Sequence, residues 1–332
     1  MQEYVVEMLC CPHCRGALDW RVDARQGERV LEGEARCAAC GATYPVREGI
    51  GLFLTPDLPR DDLWEQVESG LNTYLRANPE VERRLMDGPA GDLAPADQFF
   101  RALVLEERGD FDAARALAEV AQQGLYTPEY RACHEWQQRY VVERLAGQAR
   151  PVVDLASGRG ALVEAMARQL TLPIIASDFS PRVLRRDRRW LEHAGLYDRV
   201  SLLAFDARRT PFKDGAVAVM TSNLGLPNVE QPEMLLTELR RVVAGTLLAV
   251  SHFTPVGDAA NLAAAREAGY ATMAVRAEAL AACAAAGWQA EVANQCVGRA
   301  LPTPRGVVMA DMGIDGFPVA ETALEWGVLV AE

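Results

Sequence analysis

Pro151-Val-Val-Asp-Leu-Ala-Ser-Gly-Arg-Gly160 is the stretch on which the fold turns: a short apolar run, a turn of small residues, then ALVEAMARQL with helical spacing. The order is strand, glycine turn, helix. Small residues at the turn let a ligand approach the backbone closely, and the helix start offers N–H groups to its polar parts. Alone, such a turn is compatible with several ligands or with none. Two further strands narrow the choice. Pro173-Ile-Ile-Ala-Ser-Asp178 is a second buried run ending in an acid, about 24 residues after Asp154, and a carboxylate there can accept hydrogen bonds from both hydroxyls of a ribose. Val200-Ser-Leu-Leu-Ala-Phe-Asp206 is a third run, again ending in an acid. Acidic strand ends in register on a parallel sheet form one crevice.

A nucleotide- or NAD-binding doubly wound domain is the competing reading. Its phosphate-cradling signature is Gly-x-Gly-x-x-Gly, whereas Ser157-Gly158-Arg159-Gly160-Ala161-Leu162-Val163 lacks the third glycine. Downstream, LLTELRRVV predicts a helix, GTLLAVSHF a fifth strand, RAEALAACAAAGW another helix, and WQAEVANQCVGRAL with TALEWGVLVAE a closing antiparallel pair.

These segments resemble class I S-adenosylmethionine (SAM)-dependent methyltransferases of the type 11-like group. VVDLASGRGALVEAMA is similar to their first motif, IIASDFSPRVL to their second, and LLAFDARRTPFKDGAVAVMTSNLGL to the adenine-contacting and fourth motifs. The resemblance covers residues 149–332 and implies an α/β fold: a Rossmann-like seven-stranded sheet whose last strand is antiparallel. By position it also implies that Asp154, Ala156, Ser157, Gly158 and Gly160 surround the methionine part of SAM. Asp178 would hold the ribose, Phe179 would pack on adenine, and Asp206 with Ala207 would contact its amino edge. Asn223 and Leu224 would face the transferring methyl group. The first motif departs from the usual pattern in two places, with Ala156 where a glycine is usual and Ser157 where a cysteine is frequent.

The first 55 residues read as a separate small β unit. Cys11-Pro-His-Cys14 and Cys37-Ala-Ala-Cys40 are two Cys-x-x-Cys pairs separated by 22 residues, each followed by a glycine-containing turn. Two such pairs direct four thiolates at one ion, and the alternating segment between them, WRVDARQGERVLEGEAR, predicts a hairpin. Cys11, Cys14, Cys37 and Cys40 are therefore the expected zinc ligands, without Cys10 or His13. A closed four-thiolate shell leaves no open coordination position, so the zinc is expected to be structural. LCCPHCRGAL with CAACGATYPVREGIGLFL is similar to the small zinc-binding domains that accompany some methyltransferases.

Residues 60–148 read as a helical cap or linker segment. Prolines 56 and 59 mark a linker at 55–60, and a helix is predicted over 61–88 with a break near Asn78-Pro79. Apolar residues at helical spacing on both sides of Gly109-Asp110 predict two antiparallel helices joined by a tight turn. Thr127-Pro128-Glu129 should start another helix, with Thr127 as its N-cap.

Composition sets outer bounds. Half of the 332 residues are apolar, 24% are charged, and the net charge is −12, which disfavours a surface that attracts nucleic acid everywhere. One local exception is SPRVLRRDRRWLEH, where Arg182, Arg185, Arg186, Arg188 and Arg189 should spread around more than one helix face and stay solvated. No run is long and apolar enough to span a membrane, and MQEYVVEMLCCPHC lacks a basic region followed by an apolar one. A cytoplasmic protein with no membrane partner is expected.

Because the resemblance implies SAM, whose methyl group is already activated, alignment of an acceptor is the main catalytic need. Tyr130, His134 and His252 are candidate bases, each with a structural role as its alternative. The expected acceptor is a small molecule. An rRNA or tRNA base is the second reading, and a non-catalytic SAM-binding scaffold serving a partner protein is the third. Oligomeric state is not encoded legibly.

Overall fold

The computed structural model describes residues 1–55, 57–58 and 70–332. Part of the expected linker, and positions 61–69 of the helix predicted over 61–88, lie outside the described residues. A short helix α1 (Tyr4–Met8) precedes four strands, β1 (Leu18–Gln26), β2 (Arg29–Cys37), β3 (Thr43–Arg47) and β4 (Ile50–Phe53). Five helices follow: α2 (Gly70–Ala77), α3 (Pro79–Met86), α4 (Pro95–Arg108), α5 (Phe111–Leu125) and α6 (Pro128–Arg144). The chain then alternates through β5 (Val152–Leu155), α7 (Ala161–Gln169), β6 (Ile174–Asp178), α8 (Pro181–His193), β7 (Val200–Phe205) and β8 (Val217–Asn223). It continues with α9 (Pro232–Val242), β9 (Val243–Phe253), α10 (Ala259–Glu267), α11 (Ala271–Ala274), α12 (Arg276–Ala285), β10 (Ala290–Ala300) and β11 (Thr322–Ala331).

Strands β5 to β11 are ordered β7-β6-β5-β8-β9-β11-β10. Strand β11 runs antiparallel to both β9 and β10, whereas β5 to β9 pair in parallel. The expected seven-stranded sheet with an antiparallel last strand is present. Every residue of β5, β6 and β7 is buried, because helices cover both faces. Side chains alternate between those faces. Val153, Leu155, Ile175 and Leu203 pack with α9 and α12, while Val152, Ile174, Ala176 and Leu202 pack with α6, α7 and α8.

The cysteine-rich hairpin is also present, with β1 antiparallel to β2. Its consequence was not visible in the pattern: β4 pairs in parallel with β7, Ile50 opposite Leu202 through Phe53 opposite Phe205, so that eleven strands make one sheet. Strand β7 would otherwise expose a row of unpaired backbone groups at a sheet edge. Phe53 is fully buried and stacks on Tyr44 at 5.3 Å, and the buried Arg29 donates to the carbonyls of Val200 and Tyr197. The small unit is thereby fixed along the whole edge of the larger one.

The helical segment follows its capping signals. Thr127 Oγ1 accepts from the Tyr130 N–H at 3.1 Å, with Pro128 at the first helical position of α6. Gly109 ends α4 in the left-handed conformation, φ 86°, where a side chain would be strained, and Asp110 caps α5. Helices α2, α3 and α4 share a small core with Met309 of the connection between β10 and β11. That connection is held by Asp97 of α4, a fully buried carboxylate accepting from the backbone N–H groups of Val307, Val308 and Met309.

Candidate active site and metal centre

The turn after β5 is built by serines and glycines with separate tasks. Ser157 Oγ donates to the Asp154 carbonyl at 3.1 Å and accepts from the Ser177 N–H at 3.1 Å, while Ser177 Oγ donates to the same carbonyl at 2.9 Å. Ser157 thus ties the turn to β6, a task that a cysteine thiol at this position would perform less well. Ala156, Gly158 and Gly160 all have positive φ, of 52°, 54° and 70°. A methyl placed on Gly158 would meet nothing nearer than the Ala156 carbonyl at 4.0 Å, so the space beside the turn is open to a ligand. No side chain caps the first turn of α7, whose N–H groups face the same end of the sheet.

Asp154 lies inside β5, 1% exposed, rather than at a strand end. Its Oδ1 accepts from Thr221 Oγ1 of β8 at 2.7 Å, and its buried Oδ2 has no partner. Burial, reinforced by the nearby Asp178, pushes this carboxyl up to about 6. An orphaned buried oxygen beneath an open backbone turn fits a ligand that brings its own donor. Asp178 ends β6 and faces the turn, with Oδ2 accepting from the Gly158 N–H at 3.2 Å and Oδ1 from the Ser180 N–H at 3.0 Å. Phe179, half-buried, follows it. These groups converge where a ribose and its neighbours were expected.

Asp206 is differently engaged. Arg208, with a side chain 3% exposed, approaches Asp206 Oδ1 through Nε at 3.0 Å and Oδ2 through a terminal nitrogen at 2.8 Å. A buried ion pair two residues apart locks the 206–208 loop, and the Ala207 backbone shares its position. Arg208 escaped the sequence reading, although an acid and an arginine at i and i+2 after a strand could have raised it.

The helical segment closes over this end of the sheet. Arg159, in the middle of the turn, pairs with the buried Glu106 of α4 at 2.8 Å. His134 Nε2 of α6 lies 2.9 Å from Asn223 Oδ1 at the end of β8, so Nε2 is the nitrogen carrying hydrogen. Leu224 follows with φ 58° and donates its N–H to Val250. Tyr130 and His252 meet Trp326 of β11 edge-on at 4.9 and 5.0 Å, and Tyr126 stacks on Tyr130 at 4.9 Å. The three residues singled out from sequence therefore stand in one aromatic cluster beside Asn223. Trp326 was missed, since no local motif marks a tryptophan on a strand far along the chain. Burial lowers His134, lowers His252 to about 4, and raises Tyr130. At neutral pH the imidazoles are uncharged and the phenol keeps its proton.

The four cysteines come together at the other end of β1 and β2. The sulfurs of Cys11, Cys14, Cys37 and Cys40 all lie within 4.8 Å of one another, with Cys11 to Cys40 at 3.7 Å and Cys14 to Cys37 at 3.4 Å. Bonds of about 2.3 Å to a tetrahedral zinc require sulfurs roughly 3.8 Å apart, so the set fits that ion. Cys10 is turned away, its thiol 3.4 Å from the Phe212 carbonyl, and His13 faces Asp57 at 3.8 Å.

Residues 152–245 match the methyltransferase domain family, and residues 2–49 match the Trm112p-like protein family. Demethylmenaquinone methyltransferase of Thermus thermophilus is 35% identical over 122 residues, 36% of this chain and 54% of the relative. The Cupriavidus taiwanensis ubiquinone/menaquinone biosynthesis C-methyltransferase is 32% identical over 110 residues, 32% of this chain and 44% of the relative. The chain thus spans about half the length of these curated relatives. Among solved structures, the YcgJ protein of Bacillus subtilis is 14% identical, with 60% of this chain and 98% of that one covered at a TM-score of 0.47. The chain carries a class I methyltransferase domain. Joined to it in the same polypeptide, and in the same sheet, is a Trm112p-like domain with a four-cysteine cluster.

Proposed function

We propose that this chain is a cytoplasmic SAM-dependent methyltransferase whose acceptor is a small planar molecule held between the end of β8 and α6. The observation that carries this reading is the cluster of Tyr130, His134 and His252 around Trp326, joined to Asn223 through His134. Ring faces packed around one polar end suit a flat, hydroxylated small molecule better than a folded RNA. The curated relatives are named for demethylmenaquinone methylation and for C-methylation in ubiquinone and menaquinone biosynthesis, which supports an aromatic ring carbon as the acceptor atom. Among the described residues no helix is long and apolar enough to cross a membrane.

When bound, SAM supplies a methyl group already activated on a sulfonium centre. The chain's own residues then bind and align. Asp178 accepts from the ribose hydroxyls, Asp154, Ala156, Ser157, Gly158 and Gly160 line the methionine part, and Phe179 with Ala207 borders adenine. Because Arg208 already engages both Asp206 oxygens, the Ala207 backbone carries more of the adenine contact than Asp206 does. Asn223 and Leu224 border the transfer position. Burial lowers both imidazoles, His252 to about 4, which makes them weak proton acceptors at neutral pH, so His252 and His134 orient an acceptor hydroxyl by accepting its hydrogen bond, and Tyr130 donates one. Cys11, Cys14, Cys37 and Cys40 hold a structural zinc. Residues 1–55, 60–148 and 149–332 divide the work into zinc unit, cap and SAM-binding domain.

Incubation with tritiated-methyl SAM and a cell extract, followed by separation into metabolite, protein and RNA fractions, tests the proposal. Label is expected among metabolites, and Asp178→Ala should weaken SAM binding at least tenfold. Label in RNA alone overturns the acceptor class, unchanged SAM affinity overturns the ribose assignment, and tight SAM retention with no labelled fraction makes the chain a binding scaffold.

A further inference from the structure

The arginine-rich segment has no part in the activity proposed above, and its arrangement differs from the sequence expectation. Arg182, Arg185, Arg186, Arg188 and Arg189 do not scatter around α8. All five line one recess of about 480 Å³, joined by Arg76 of α2 and walled by Glu48 of the β3–β4 turn, Asn72 and Glu107. Among the described residues the lining holds six guanidinium groups, of which Arg76 has a partner of its own, and two carboxylates, within a chain of net charge −12.

Some of these charges are already matched. Arg182 pairs with Glu107, Arg188 with Glu48 at 3.2 Å and Glu192 at 2.8 Å, and Arg186 with Asp187 at 3.1 Å while donating to the Gly158 carbonyl. Arg185 and Arg189 have no carboxylate partner among the described residues. Arg185 is exposed and makes no ion pair among the described residues, and Arg189 reaches only the Glu107 carbonyl and the ring of Phe111. Four residues apart, these two arginines lie on one face of α8 and line the same recess.

We infer that this recess binds a small ligand carrying two or more phosphate groups. Planar guanidinium forks match phosphate oxygens in pairs, and two phosphate groups bring about three negative charges, enough to meet the two arginines, Arg185 and Arg189, that have no carboxylate partner among the described residues. The volume lies within the range of small-ligand sites, roughly 300–1,000 Å³. A recess open enough for a compact anion, and walled by the β3–β4 turn and α2, favours such a ligand over an extended strand of nucleic acid. The inference is independent of which methyl acceptor the chain uses.

Isothermal titration with inorganic pyrophosphate tests it on the full chain. One saturable site is expected, weakened at least tenfold by Arg185→Glu and by Arg189→Glu, weakened less by Arg185→Gln, and unchanged in Arg266→Glu, an exposed arginine on α10 outside the recess. Arg185 is exposed, so its variants should retain the unfolding temperature of the parent. Absence of saturable binding, or an equal loss in Arg266→Glu, overturns the inference. So does recess-dependent retention of a labelled single-stranded RNA that pyrophosphate fails to displace, which makes the surface a nucleic-acid site instead.

Discussion

Arg159, at the centre of the glycine-rich turn, is bonded at 2.8 Å to Glu106 on helix α4, so an ion pair ties α4 to the turn proposed to line the cofactor. Glu106 is 4% exposed, whereas a third of the Arg159 side chain remains in contact with solvent. Removing the acid therefore costs less than breaking a fully buried pair, about 1–2 kcal/mol. Glu106→Gln is expected to lower the unfolding temperature by a few degrees and to weaken SAM binding severalfold, measured by calorimetry of the variant with and without SAM. Unaltered SAM affinity would show that the cap rests on the turn without positioning it.

The cap is also latched from the opposite side. Asp97 gathers three consecutive N–H groups, from Val307 to Met309, onto one buried carboxylate. Charge-assisted bonds of this kind contribute more than neutral ones. Asp97→Asn keeps the shape but withdraws the charge and one acceptor oxygen, at a cost of about 2 kcal/mol. Limited proteolysis should then cut the connection between β10 and β11 at least several times faster, with the sheet itself spared.

How far these relationships were legible differs by element. Strands β5, β6 and β7, the turn 154–160 and the four cysteines could be read because their signals are local: apolar runs, small residues at fixed positions, two Cys-x-x-Cys pairs. The β4–β7 pairing could not, since its backbone bonds join residues about 150 apart and leave no trace in side-chain pattern. Asp97, Glu106 and Trp326 were invisible for a related reason. Each is an ordinary helix or strand residue whose role depends on a partner brought near only by the fold.

Zinc removal should be felt at the 206–212 loop, the proposed adenine side of the crevice. Cys10, adjoining the first cysteine pair, donates its N–H to the Pro211 carbonyl at 2.7 Å, Leu9 pairs with Phe212, and Arg209 pairs with the same Asp57 that His13 approaches. The 206–212 loop is thus anchored to the cysteine knuckle. Cys14→Ser, or stripping with a strong chelator, is expected to lower the unfolding temperature and to weaken SAM binding about tenfold, with partial recovery on adding zinc to the stripped parent. Loss of stability without loss of SAM affinity would confine the metal to the small unit.

Asp154 should couple stability to pH. Its carboxyl is raised to about 6, above the ordinary 3.8, so the folded state binds the proton more tightly than the unfolded chain between those values. The resulting advantage is complete below about pH 4 and is lost as pH rises through 6. At pH 7 the ionised buried carboxylate therefore costs roughly 2–3 kcal/mol. Asp154→Asn retains an acceptor for Thr221 and should raise the unfolding temperature of the SAM-free protein at pH 7, but not at pH 4, while weakening SAM binding. Equal melting shifts at both pH values would show that the charge is not the cause.

The substitution of Ala156 for the usual glycine has a counterpart across the crevice. Its Cβ sits against Gly225, where an added Cβ would approach it to 2.8 Å and Ser222 Oγ to 2.7 Å. Ala156 also holds φ at 52°, a region that costs an L side chain about 1 kcal/mol and glycine little. Gly225→Ala alone should destabilise by about 2 kcal/mol and displace the backbone next to Asn223 and Leu224. Ala156→Gly removes one of the two atoms nearer than 3.0 Å, leaving Ser222 Oγ and the residue-156 carbonyl at 3.1 Å, and removes the backbone strain as well. In that background Gly225→Ala should cost less by at least about 0.5 kcal/mol, the coupling expected of residues in contact. Denaturant melts of the two single variants and the double variant measure it directly, and strict additivity would mean that the Ala156 methyl is not what requires glycine at position 225.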